Sequence, residues 1–194
     1  MFYDCLHLTE APELPATTLA ESCYSSMFYQ CAYMTSVPDL DASILAKNCY
    51  NGMFSGCTSI TEAPDLPATT LAEGCYANMF ANCSRLTSPP VISATTLANA
   101  CCQQMFMGCT MLTTAPILNA LTLVTNCYYR MFYGCTSLNY IKAMFLTAPT
   151  LNYTYQWVRN VASSGTFVKN SSATWLGYGT DGVPSGWTVQ TASS

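Results

Sequence analysis

The sequence predicts an α/β repeat solenoid of 26-residue units, each with a short strand on the concave side and a helix on the convex side, closed by a C-terminal cap. Three observations predict it. The stretch at 19–31, LAESCYSSMFYQC, returns without a gap at 45–57, 71–83, 97–109 and 123–135. Whole columns keep their residue: Met-Phe at 1, 27, 53, 79, 105 and 131; Cys5, Cys31, Cys57, Cys83, Cys109 and Cys135; Cys23, Cys49, Cys75, Cys101 and Cys127. Pro12, Pro38, Pro64, Pro90 and Pro116 form a further column, as do Ala16, Ala42, Ala68, Ala94 and Ala120. A fixed period of this length marks stacked units, each burying its apolar face only against its neighbours.

Within a unit, Leu19, Cys23 and Met27 are spaced i, i+4, i+8 with Ala20, Tyr24 and Phe28 beside them, which predicts an amphipathic helix of about three turns. Thr17 or Thr18 suits the N-cap, and Gly56, Asn82, Gly108 and Gly134 suit a left-handed C-cap, with Gln30 the exception. Met34, Val37 and Leu40 then read as the inward anchors of a short extended segment whose proline limits its ladder bonds. Strands stack ~4.8 Å apart and helices roughly 8–10 Å apart. That mismatch predicts the curve, with strands lining its concave face. The Thr9, Thr35, Thr61, Thr87 and Thr113 column reads as a hydroxyl ladder, and the Tyr24 column as core rather than a glycan-stacking stripe.

The segment 57–83, CTSITEAPDLPATTLAEGCYANMFANC, with FSGCTSIT at 54–61 and FYGCTSL at 132–138, resembles the BspA-like leucine-rich repeats of bacterial surface proteins. The resemblance spans residues 1–145. This unit is longer and carries proline in its strand region. The resemblance implies a leucine-rich-repeat-like fold, an extracellular or cell-surface location, and adhesion to a protein or glycan ligand through the concave face.

The division expected is a solenoid over 1–145, five repeats plus a partial one, and a capping segment over 146–194. In the latter a helix at 151–161 and a β-hairpin made by 165–169 and 186–190 would place Trp157, Phe167, Trp175 and Trp187 over the last repeat's open edge. SSGTFVKN at 163–170 and GVPSGWTV at 182–189 resemble the ending of such repeat proteins in gut Bacteroidales and their phages. No charged-then-apolar leader opens the sequence, and Met1-Phe2 already sits in the Met-Phe column, so the sequence is expected to be a fragment of a longer protein in preference to a natural start that reuses the repeat's own methionine.

Charged residues make up 8% of the chain, so Ser, Thr, Asn and Gln must keep its surface wet. A net charge of −4 with six Lys and Arg leaves no phosphate-tracking patch, which argues against nucleic acid, and no apolar run reaches membrane-spanning length. The twelve cysteines admit buried thiols, disulfides or zinc. Buried thiols come first, since both columns lie on apolar positions, and zinc last, since no C-x-x-C occurs. Cys102 breaks the pattern by replacing the tyrosine of its column. His7, the only histidine, has Cys5 near but no orienting third group, so neither a catalytic site nor a cofactor or metal is expected.

Glu10 and Glu62 share a column with Ser36, and Glu13, Asp39 and Asp65 share another. These six are the candidate partner-binding residues; a solvated face is the plainer reading. Further along, the same columns become Ser88 and Thr114, then Val91 and Ile117. The expected function is non-enzymatic recognition. The alternative is a structural or receptor-binding part of a larger assembly, such as a phage tail, a virion or a multi-domain surface protein, with self-association through open solenoid ends.

Overall fold

The computed structural model describes residues 2–192. Met1, the first of the methionine column, and the last two residues of the segment 146–194 lie outside them. Each unit forms one coil, and backbone hydrogen bonds join consecutive coils on both long sides. On one side run parallel bridges such as Glu10 to Ser36, Thr18 to Ile44, Leu66 to Ile92 and Thr70 to Thr96. On the other, the N–H of Phe28, Phe54, Phe80 and Phe106 donates to the carbonyl of Met53, Met79, Met105 and Met131, each at 2.9 Å.

The expected convex helices are not formed, and the α/β architecture is thereby corrected. The one α-helix among the described residues is α1, Leu151–Thr154. The stretch at 19–31 is instead a train of tight turns: the N–H groups of Cys23, Ser25, Met27, Tyr29 and Cys31 donate three residues back, to Ala20, Ser22, Tyr24, Ser26 and Phe28. The alternate amides of Ser22, Tyr24, Ser26, Phe28 and Gln30 donate across to the next coil. A helix would spend every amide inside its own unit. Here half of them go to the neighbour, so adjacent coils approach to strand-like spacing, ~4.8 Å, on this side too. The spacing mismatch that predicted a convex and a concave side therefore disappears.

The train repeats every four residues, and each repeat needs one left-handed residue, as the third position of a type II turn does. Ser22, Ser26 and Gln30 have φ of 55°, 52° and 58°; Gly74, Asn78 and Asn82 occupy the same slots two coils on, at 60°, 56° and 60°. Residues i, i+4 and i+8 point the same way in such a train and in a helix. The apolar pattern alone does not separate the two.

A substitution does. Ala100 sits in one of these slots with φ 53°, where a Cβ costs roughly 1–2 kcal/mol, against about 1 kcal/mol lost through glycine's greater chain entropy. Ala100→Gly is expected to leave stability unchanged or raise it by up to about 1 kcal/mol in urea denaturation, whereas a helix interior would lose about that much.

The inward columns fill the coil. Phe2, Phe28, Phe54, Phe80, Phe106 and Phe132 form one file, successive rings 5.6–5.7 Å apart and within 12° of parallel. Met34, Ile60, Leu86, Leu112 and Leu138 form a second buried file. The threonine column does act as a ladder, with the hydroxyls of Thr35 and Thr87 donating to the carbonyls of Thr9 and Thr61.

The C-terminal segment extends the stack. Strands β1 (Tyr140–Ala143), β2 (Thr166–Lys169) and β3 (Thr188–Thr191) form a sheet in that order, parallel throughout. The hairpin expected from 165–169 and 186–190 is thus replaced by a parallel pair, because residues 170–187 carry the chain back around before β3 begins. The helix expected at 151–161 shortens to α1; beyond it Gln156 and Asn160 continue the left-handed slots at φ 51° and 61°. Gly165 is needed where the chain enters β2, since a Cβ there would lie 2.3 Å from the Asn139 carbonyl oxygen. The last turn train ends on Asp181, whose carboxylate accepts the Gln156 N–H and whose carbonyl accepts the Thr154 hydroxyl at 2.7 Å. The indole N–H groups of Trp157, Trp175 and Trp187 are each bonded to a backbone carbonyl.

Candidate interaction face

The residues 13 to 17 of each coil run extended, so odd positions point outward while positions 14 and 16 turn into the core. Leu40, Leu66, Ile92 and Leu118 are buried at the first inward position, and Ala42, Ala68, Ala94 and Ala120 at the second. Outward stand Glu13, Asp39, Asp65, Val91 and Ile117 in one file, with Asp41 and Asn119 in the next and Leu121 in the third.

All six residues singled out from sequence are exposed: Glu10, Glu13, Ser36, Asp39, Glu62 and Asp65. Glu10 and Ser36 pair across one parallel bridge, Glu62 and Ser88 across another. Asp65 has a structural bond as well, its Oδ1 accepting the Val91 N–H at 3.0 Å. Their placement on a concave surface is corrected with the fold: they lie on one outward face of the stack. Asp41, Leu121, Lys142 and Leu146 on the same face were not foreseen. Lys142 is hidden from a strict count of 26 because one residue is dropped between Leu118 and its bridge partner Ala143.

The face changes character along the stack. Its first three coils carry Glu13, Asp39, Asp41 and Asp65, and the following ones carry Val91, Ile117, Leu121 and Leu146, exposed by 62%, 46%, 50% and 43%. Among the described residues the one ion pair lies elsewhere, Lys47 to Glu73 at 2.9 Å, raising the lysine's pKa through the hydrogen bond. On the other long side, in the turn train, the half-buried Arg130 guanidinium sits 5.3, 5.5 and 5.6 Å from the ring centres of Tyr129, Tyr133 and Tyr155. Its charge is spent on those three rings. Column identity gives little sign of this, since the column of Tyr129 and Tyr155 holds Ser25, Asn51, Ala77 and Gln103 in earlier coils, and that of Tyr133 holds Ser55, Ala81 and Met107 after Tyr3 and Tyr29.

The cysteines are core. All twelve are free, and ten are buried, the exceptions being Cys5 and Cys23 near the first coil. In the column from Cys31 to Cys135 each thiol donates to a phenylalanine carbonyl of the preceding coil, as Cys57 to Phe28 at 3.0 Å and Cys83 to Phe54 at 3.1 Å. Burial pushes the Cys57 and Cys135 thiols up to about 12. Such thiols stay protonated and unreactive near neutrality. His7 is exposed on the first coil, and no cluster of three metal-ligating side chains occurs among the described residues.

No family model matches the chain, and comparison with curated proteins and with solved structures finds no match.

Proposed function

We propose that the chain is a non-enzymatic recognition module, extracellular or surface-borne, that engages a macromolecular partner through the outward face built on Glu13, Asp39, Asp65, Val91 and Ile117. One observation carries the reading. The inward columns keep the same residue or the same apolar character from coil to coil, while the outward positions pass from carboxylates to exposed aliphatics within a few coils. A rigid stack of identical cores presenting a graded surface suits multi-contact binding, and exposed aliphatics grouped on one face mark interaction sites more often than solvated surface does.

The test is a binding screen of the purified chain against matrix-protein and glycan arrays, repeated with Glu13→Lys/Asp39→Lys and with Ile117→Asp. Any partner found with the wild type is expected to bind at least tenfold more weakly to both variants, with melting temperature unchanged. A partner indifferent to both would remove this face from consideration. Protease shaving of intact producing cells, beside a blot of purified particles, separates surface display from carriage on a virion.

A further inference from the structure

The outward file through position 13 carries a self-complementary pattern. Leu118 bridges Ala143, and its N–H donates to the Lys142 carbonyl at 3.0 Å, so Lys142 occupies the slot after Ile117. Read along the stack, the file runs Asp65, Val91, Ile117, Lys142: anion, apolar, apolar, cation, at steps of ~4.8 Å. Rotated by 180° about an axis between Val91 and Ile117, perpendicular to the stack, it becomes cation, apolar, apolar, anion. Laid on itself in that orientation, each Val91 meets an Ile117 and each Asp65 meets a Lys142. Leu121 and Leu146 widen the apolar ground beside the axis, held on adjacent coils by the Leu146 N–H to Leu121 carbonyl bond at 2.8 Å.

We propose that a second copy of this chain docks on this face, antiparallel and two-fold symmetric, with Asp65 of each copy against Lys142 of the other. This rests on the reading of the face as an interaction surface and names its partner. Both charges have reason to seek a counter-ion outside their own chain. Asp39 and Asp65 stand on successive coils, where like charges in register repel, and among the described residues Lys142 makes no salt bridge. An isologous contact is also the commonest way for two identical surfaces to close. The overlap spans about six coils, roughly 29 Å, by about five extended residues, roughly 16 Å. That buries on the order of 900 Å² in total, at the small end of specific interfaces, so the dimer is expected to be reversible, with a dissociation constant on the order of 10–100 µM.

Sedimentation equilibrium of the purified chain tests this. The wild type is expected to show a reversible monomer–dimer equilibrium. Asp65→Lys alone and Lys142→Glu alone should each weaken it at least tenfold, with circular dichroism unchanged. Mixing those two variants should restore dimers, as hetero-pairs only, because an all-basic copy then faces an all-acidic one and both ion pairs are attractive. Ile117→Asp should abolish association. A chain that stays monomeric at the highest concentration reached, or a mixture that stays as monomeric as its components, overturns the proposal. That outcome leaves the array screen untouched, so a monomer whose partner binding still falls with Glu13→Lys/Asp39→Lys would separate failure of the dimer from failure of the recognition reading.

Discussion

Replacing Phe80 by alanine is expected to cost about 3–5 kcal/mol, a large part of the stability of a domain this size. Phe80 is fully buried, and its ring stacks on Phe54 and Phe106, 5.6 Å away on either side. In a stack each coil is held only by its two neighbours, so stability is approximately a sum of coil terms and interface terms. A lesion in the middle weakens two interfaces and leaves the halves on either side to melt more independently. Phe80→Ala should therefore lower both the urea midpoint and the steepness of the transition. Phe2→Ala, at a half-buried ring with a single stacking partner, should cost less than half as much and leave the slope unchanged. Phe80→Asp, which buries an unpaired carboxylate, should give no soluble folded protein. Equal losses at Phe2 and Phe80 would contradict nearest-neighbour stacking.

The period, the inward columns and the buried thiols were legible because they are written in residue identity: Phe28, Phe54 and Phe80 recur at a fixed interval and do stack. The backbone of the unit was not, because Leu19, Cys23 and Met27 at i, i+4, i+8 suit a four-residue turn train as well as a helix. The distinguishing signal lay in the polar positions. Ser22, Ser26 and Gln30, Asn48, Gly52 and Gly56, Gly74, Asn78 and Asn82 place glycine, asparagine or another small or polar residue every fourth residue, all left-handed in the structure. Reading only Gly56, Asn82, Gly108 and Gly134 as C-caps caught one slot in three. Of the candidate face, the exposed carboxylates were legible from their columns, whereas Lys142 was not, since the dropped residue before Ala143 shifts it out of register.

Above about pH 9 the fold should lose stability steeply. Burial raises the thiol pKa of Cys31, Cys75, Cys83 and Cys109, that of Cys49 to about 11, and those of Cys57, Cys127 and Cys135 to about 12, while Cys102 is raised first by its hydrogen bond with Cys101 and then by burial. Cys101 is the exception, lowered by its hydrogen bond with the Cys102 thiol beside it. A thiol is neutral when protonated, so the raised value means that the folded state keeps a proton the unfolded chain gives up above its ordinary value of about 8.5. The contribution of these groups is complete below that pH and is lost as pH climbs toward 12. Each such thiol removes about 1.4 kcal/mol per pH unit in that window. The three at about 12 together remove roughly 4 kcal/mol per unit, against a total on the order of 5–15 kcal/mol. Buried Tyr50, Tyr76 and Tyr128 shift the same way through burial and add to the loss above about pH 10. Circular dichroism under reducing conditions should therefore show cooperative unfolding between about pH 10 and 11. Cys57→Ser with Cys135→Ser keeps a hydroxyl facing each phenylalanine carbonyl and deletes two titrations, so its pH profile should be flatter, whatever its stability at neutral pH. A wild-type chain whose stability stays level through pH 10.5 would mean that these thiols are not in the core. Labelling with a thiol reagent at neutral pH checks the same placement independently: Cys23, which is exposed, should react first, Cys5 next, and the buried columns only on unfolding.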